Sequence, residues 1–121
     1  MKQNNTVQTK SYTFALRIVK LCQYMVKGKQ EFVLSKQLLK SGISIGANVE
    51  EAIGGQPPRD FFAKISISYK EARETHYWLR IMRDSGYLSK TQTKSLIEDC
   101  VELLKIIGSI QRTMKSQIRN S

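Results

Sequence analysis

Ser41-Gly42-Ile43-Ser44-Ile45-Gly46-Ala47-Asn48 decides the fold, because it sets two glycines and several small residues inside a run that otherwise keeps helical spacing. The run extends from about Glu31 to Ile53, with Phe32, Leu34, Leu38, Leu39, Ile45, Val49 and Ile53 as its apolar members. Each interior glycine costs a helix about 1 kcal/mol relative to alanine. Close backbone approach by a neighbouring helix recovers that cost, so the stretch points to a helix packed tightly against another. Gly54, Gly55, Pro57 and Pro58 then end the segment and form the clearest loop in the chain.

Outward from this centre the same logic gives three further helices. Beyond the loop, Phe61, Ile65, Ser68, Ala72, Thr75, Leu79 and Met82 keep an unbroken four-three register over about Arg59 to Asp84. The seam is complete but partly polar. A second line on that helix, Ile67, Glu71, Glu74, Trp78 and Ile81, mixes carboxylates with large apolar groups and suggests burial against another surface. Gly86 marks the stop. Ser89, followed three positions later by Gln92, fits a capping box that opens a fourth helix with the seam Leu96, Cys100, Leu103, Ile107, Ile110 and Met114. On the N-terminal side, a helix from about Ser11 to Val26 carries two seams, Phe14/Ile18/Leu21/Met25 and Ala15/Val19/Cys22/Val26. Its stripe is wider than one neighbour needs, and Gly28 is the expected C′ residue.

No segment alternates as a strand should, and short links cannot cross the length of a helix. The expected fold is therefore all-α, an antiparallel up-down-up-down four-helix bundle over residues 11–118, preceded by a flexible tail over residues 1–10. A chain of 121 residues suits one domain and leaves no room for a second. Hydrophobic residues at 40% with charged residues at 25% exclude a disordered chain, and no apolar run approaches a membrane span. Nothing after Met1 has the character of an export signal, so the expected compartment is the cytoplasm, with no membrane association.

The chain carries a net charge of +10, and its distribution matters more than its size. Residues 1–29 hold six basic and no acidic side chains, residues 103–121 hold four and none, and residues 30–102 hold ten of each sign. In an up-down bundle the first and last helices are neighbours. Lys10, Arg17, Lys20 and Lys27 share one helical line, and Lys105, Arg112, Lys115 and Arg119 share another, roughly 200° from the Leu103/Ile110 seam. A continuous basic face is the expectation. It suits phosphate contacts with structured RNA or another nucleic acid, with Tyr12 or Tyr24 available for stacking; the alternative is a solvated face that keeps the protein soluble.

Catalytic and metal chemistry find little support. A di-iron bundle needs Glu-x-x-His pairs, but His76 is the sole histidine and Arg73 stands where the glutamate belongs. His76 reads as a partly exposed helix residue. Glu71 and Glu74 share a face, and an ion pair with Arg73, Arg80 or a basic residue on another helix is the expectation rather than acid/base work. Cys22 and Cys100 fall on apolar seams as buried thiols, with a bond between the first and fourth helices the lesser alternative. Gly54-Gly55 lacks the lysine and spacing of a phosphate loop. No enzyme activity and no cofactor are expected. Tyr69, Tyr77, Trp78 and Ile81, with the wide stripe of the first helix, exceed what a monomeric core absorbs and suggest a self-association surface.

The segment Ser35 to Ala52 resembles the signature Q-L-x-R-S-x-x-S-I-x-A-N-x-x-E-[AG] of the bacterial four-helix bundle proteins related to those encoded in 23S rRNA intervening sequences, with Lys40 in place of the usual arginine. Asp60-Phe61, Lys70-Glu71-Ala72-Arg73-Glu74-Thr75, Tyr77-Trp78-Leu79 and Gly86-Tyr87-Leu88 continue the likeness, which spans about residues 12–116. The resemblance implies a ring-like homo-oligomer, a pentamer, with no catalytic residues and a link to ribosomal RNA through where some family genes lie. On this reading Ser41, Ser44, Asn48 and Glu71 are inter-helix hydrogen-bonding residues, since buried polar groups must find partners. The alternative is a protein-interaction scaffold, such as an accessory subunit of a reverse transcriptase, whose charge serves no specific nucleic acid and whose protein partner is unknown.

Overall fold

The computed structural model describes residues 2–56 and 58–120, with side chains from Thr6 onward; Pro57 of the expected loop lies outside them. Four helices run in order: α1 (Lys2–Lys29), α2 (Val33–Gly54), α3 (Arg59–Asp84) and α4 (Lys90–Asn120). Each packs on its chain neighbours, and α1 closes the bundle against α4. Cross-helix pairs fix the antiparallel sense. Thr75 meets Ser41 while Ser68 meets Ile45, and Lys10 meets Glu102 while Arg17 meets Asp99, so residue numbers rise on one helix as they fall on its partner. The fold is the all-α four-helix bundle expected from the periodicity.

The small-residue stretch of α2 sits where two neighbours crowd it. A Cβ built on Gly42 would stand 2.8 Å from Cγ2 of the fully buried Ile18, and one on Gly46 would touch the backbone of Ser11 at 3.4 Å. On the flank turned to α3, the Ser68 hydroxyl donates to the Ile45 carbonyl at 2.8 Å, and the Thr75 hydroxyl lies 2.9 Å from Ser41 Oγ. Glycines thus face α1 and hydroxyls face α3. Every position of the α3 and α4 seams is buried, including the polar Ser68 and Thr75.

Three boundaries differ from the sequence reading. The segment read as a tail is helical from Lys2, because Val7 continues the seam of Phe14 back through Ser11 and is buried. Gln8 of that segment donates to both carboxylate oxygens of Glu50 on α2, at 3.0 and 3.1 Å. Helix α1 also runs through Gly28. The left-handed residue that ends it is Gln30, with φ of 53°, and the Glu31 N–H reaches back to the Met25 carbonyl at 3.0 Å. Helix α2 begins at Val33 because the Glu31 carboxylate lies across its N-terminus and accepts from the N–H groups of Val33, Leu34 and Ser35. The other turn is as read. Gly86 has φ of 88°, and Ser89 and Gln92 exchange reciprocal capping bonds of 2.8 and 3.0 Å.

Candidate nucleic-acid interface

Lys10, Arg17, Lys20 and Lys27 follow one line along α1; Lys27 borders the α1–α2 groove with Val19 and Leu39, and Lys10 and Arg17 turn toward α4. Two of the four meet carboxylates there: Lys10 Nζ donates to Glu102 Oε1 at 2.7 Å, and Arg17 pairs with Asp99. The Glu102 carboxylate raises the Lys10 pKa above its usual value, first through the hydrogen bond and then through its charge. Lys105, Arg112, Lys115 and Arg119 are exposed on α4, but they follow the other flank. A Cβ on Gly108 would stand 3.3 Å from the Tyr69 ring and 3.4 Å from the Arg112 guanidinium, which places Arg112 beside α3.

The expected continuous face is therefore two stripes separated by Asp99 and Glu102. The tally along the chain missed this because both acids belong to the balanced middle segment, and antiparallel packing brings them level with the cations of α1. Exposed ion pairs of this kind contribute little stability, but they withdraw two cations from any phosphate. Among the described residues Lys10, Arg17, Lys64 and Arg83 close ion pairs, and the remaining lysines and arginines close none.

The other singled-out residues divide likewise. Tyr69 is half-buried on Gly108, so its ring belongs to the α3–α4 contact. Tyr77 is exposed and meets Trp78 edge to face at 5.3 Å, with the Arg80 guanidinium 5.8 Å over the Tyr77 ring. Trp78 and Ile81 are half-buried, and the indole N–H of Trp78 is shielded from water without an acceptor among the described residues. Of the four polar residues implied by the resemblance, the side chain of Ser41 alone bridges helices. Ser44 donates to the Lys40 carbonyl at 2.7 Å and Asn48 to the Ser44 carbonyl at 2.8 Å, both within α2. Glu71 receives the Thr75 hydroxyl on its backbone carbonyl, while burial and then the neighbouring Glu74 raise its carboxyl pKa. Neither Glu71 nor Glu74 closes the ion pair expected for it. The other inter-helix hydroxyls are Ser68 and Thr75, legible as the polar members of the α3 seam, and Ser66, which accepts from Gln111 Nε2 of α4 at 3.2 Å.

Both thiols lie buried in the bundle. Cys22 is buried with its thiol against the Ser35 carbonyl at 3.4 Å, and Cys100 is buried against the Ala72 carbonyl at 3.3 Å. Burial first, then the charges of Glu31 and Asp99 respectively, push their pKa values up to about 11 and about 12. Both thiols are free, one facing α2 and the other α3. His76 is half-buried, and burial followed by Arg80 and Arg83 lowers its pKa. Among the described residues no group of three His, Cys, Asp or Glu side chains gathers to hold a metal, and no helix is long and apolar enough to cross a membrane.

The sequence pattern of the 23S rRNA-intervening sequence proteins matches residues 3–109, almost the whole bundle. The chain belongs to this family. A crystal structure of a protein of unknown function from the S23 ribosomal protein family of Bacteroides thetaiotaomicron is similar at 44% identity, covering 91% of this chain and 98% of that one with a TM-score of 0.89. No curated protein matches the chain. The likeness to an intervening-sequence protein thus extends from the α2 signature to the arrangement of all four helices.

Proposed function

We propose that this intervening-sequence protein is a non-enzymatic bundle that self-associates, as a pentamer, and holds structured RNA or another polyanion on its basic surface. The observation that carries this reading is the surplus of cations without carboxylate partners on a chain of net charge +10. Cations on such a surface displace the counterions condensed on a nucleic acid, and that release supplies much of the binding free energy. The family's association with 23S rRNA points to RNA as the polyanion. Support for self-association comes from exposed apolar groups outside the core: Tyr12 at 64% and Ile43 at 41% in the α1–α2 groove, Leu16 at 49% elsewhere on α1, and Tyr77 on α3.

Fluorescence anisotropy with a ribosomal RNA hairpin across a salt series tests the binding. The expected result is an affinity that falls steeply with salt on a log-log plot, with a slope of about −0.7 to −0.9 per phosphate neutralised. Absence of binding at low salt overturns it. Light scattering on a size-exclusion column tests the assembly, where a species of 13.9 kDa refutes self-association.

A further inference from the structure

Cations from separate stretches of the sequence converge in space. The α1–α2 and α3–α4 turns lie at the same end of the bundle, opposite the chain termini. Lys27 and Lys29 close α1 there, Arg80 and Arg83 close α3, and Lys90 and Lys94 open α4. At 1.5 Å per residue each lies within roughly 8 Å of the end of its helix along the axis. Two of the three carboxylates near this end are already engaged, and the third, Glu98, lines the α3–α4 cleft. Glu31 faces inward onto three N–H groups of α2, and Asp84 is paired with Arg83. The Asp84 pKa is lowered first by its hydrogen bond from Arg83, then by the charges of Arg83, Arg80 and Lys90, so cations crowd this acid. A cleft opens between Arg83 on α3 and Lys90 and Lys94 on α4, where these three cations outnumber the one carboxylate in its lining, Glu98.

A second observation gives the ligand its character. Each turn at this end presents an aromatic ring to solvent: Phe32, 60% exposed, after the Gln30 turn, and Tyr87, 39% exposed, after the Gly86 turn. A hydrophobic ring at the tip of a turn, among unpaired lysines, lies outside the core. Base stacking uses such a ring only when the face of the base is free, as in a loop, bulge or single strand; a duplex offers its phosphates and hides its faces.

We infer that the two-turn end of the bundle is a binding platform for unpaired RNA, with Phe32 and Tyr87 stacking on bases while Lys29, Lys90 and Lys94 take the adjoining phosphates. This rests on the RNA-binding reading above and narrows it to one surface and one class of RNA. The lateral stripes of α1 and α4 are then secondary to the end.

The test is anisotropy on the full chain with a fluorescein-labelled hairpin RNA carrying an unstructured loop, beside a blunt duplex of the same stem. Three variants are compared, each first shown to melt like the parent: Phe32→Ala with Tyr87→Ala; Lys29→Gln with Lys90→Gln and Lys94→Gln; and Lys20→Gln with Lys105→Gln, Arg112→Gln and Lys115→Gln. The parent is expected to prefer the hairpin. The aromatic variant loses about tenfold or more in hairpin affinity with an unchanged salt slope, as stacking losses do. The end-lysine variant flattens the slope by about 2, at about 0.7 per single-strand phosphate contact. The lateral variant keeps the hairpin preference. Equal binding of hairpin and duplex by the parent, or loss confined to the lateral variant, overturns the platform while leaving RNA binding in place. Failure of the parent to bind either probe overturns the RNA reading itself.

Discussion

Gly42→Val is expected to destabilise the bundle by about 3 kcal/mol or more, at the upper end of what overpacking a filled core costs. The first added carbon would stand 2.8 Å from Cγ2 and 3.0 Å from Cγ1 of Ile18, and Ile18 is fully buried with a branched Cβ that cannot swing aside. Against a total stability of roughly 5–15 kcal/mol this is a large fraction, and a fall in Tm of roughly 10 °C is the readout by circular dichroism. Gly54→Ala is the control. Its Cβ meets nothing within 4 Å, so the melting temperature is expected to hold or rise. The clash is assigned to its partner by a double-mutant cycle. Gly42→Ala costs stability beside Ile18 but becomes neutral or favourable in an Ile18→Ala background, where the two closest atoms are gone, only Cβ at 3.3 Å remains, and helix propensity favours alanine by about 1 kcal/mol. An equal cost in both backgrounds overturns the close-approach account of the α2 glycines.

Glu31→Ala has the next largest expected effect. One carboxylate receives the N–H groups of Val33, Leu34 and Ser35 at 3.1, 3.0 and 2.8 Å and the Ser35 hydroxyl at 3.0 Å, in a site that is 8% exposed. Loss of a helix cap costs about 0.5–2 kcal/mol, and the three N–H groups left without their carboxylate place this variant at the upper end of that range, while the Ser35 hydroxyl keeps the carbonyl of residue 31 as acceptor. Desolvation is the largest single influence on the Glu31 pKa and raises it, but the hydrogen bonds of Leu34, Ser35 and Val33 together outweigh it, and the net shift is downward from 4.5. A depressed folded-state pKa means that the stabilisation is complete above the unfolded value of 4.5 and is lost as pH falls through the lower folded value. Chemical denaturation of parent and Glu31→Gln at pH 7 and across the range below 4.5 measures this. The parent is expected to lose its advantage over Glu31→Gln as the pH falls, and a difference independent of pH overturns the charged cap.

Both residues show how far a sequence can be read. The glycines were visible, and so was the need for a close neighbour, because a helix of that spacing does not keep two costly glycines without compensation. Which neighbour they face was not visible, since Ile18 becomes a contact of Gly42 through the path of α1 and not through spacing. Glu31 stood at the edge of the helical reading as a first residue. Its role as a cap depends on the left-handed turn at Gln30, a residue type that gives no turn signal of its own. The basic surface was the least legible part. A sum over chain segments assigns the surplus to the two termini, whereas antiparallel packing sets Asp99 and Glu102 against the N-terminal cations and gathers Arg80, Arg83, Lys90 and Lys94 with Lys27 and Lys29.

By itself the sequence determined the four helices, the buried seams of α3 and α4, the glycine stop at Gly86, the Ser89/Gln92 capping box and the lack of a metal-ligand or nucleophile motif. These follow from local periodicity and residue chemistry, which act over one or two turns of chain. Tertiary structure alone decided which cations are neutralised, which aromatic rings stay in solvent and which hydroxyls tie helices together. Those outcomes depend on distances between residues tens of positions apart, set only when four amphipathic helices bury their seams against one another.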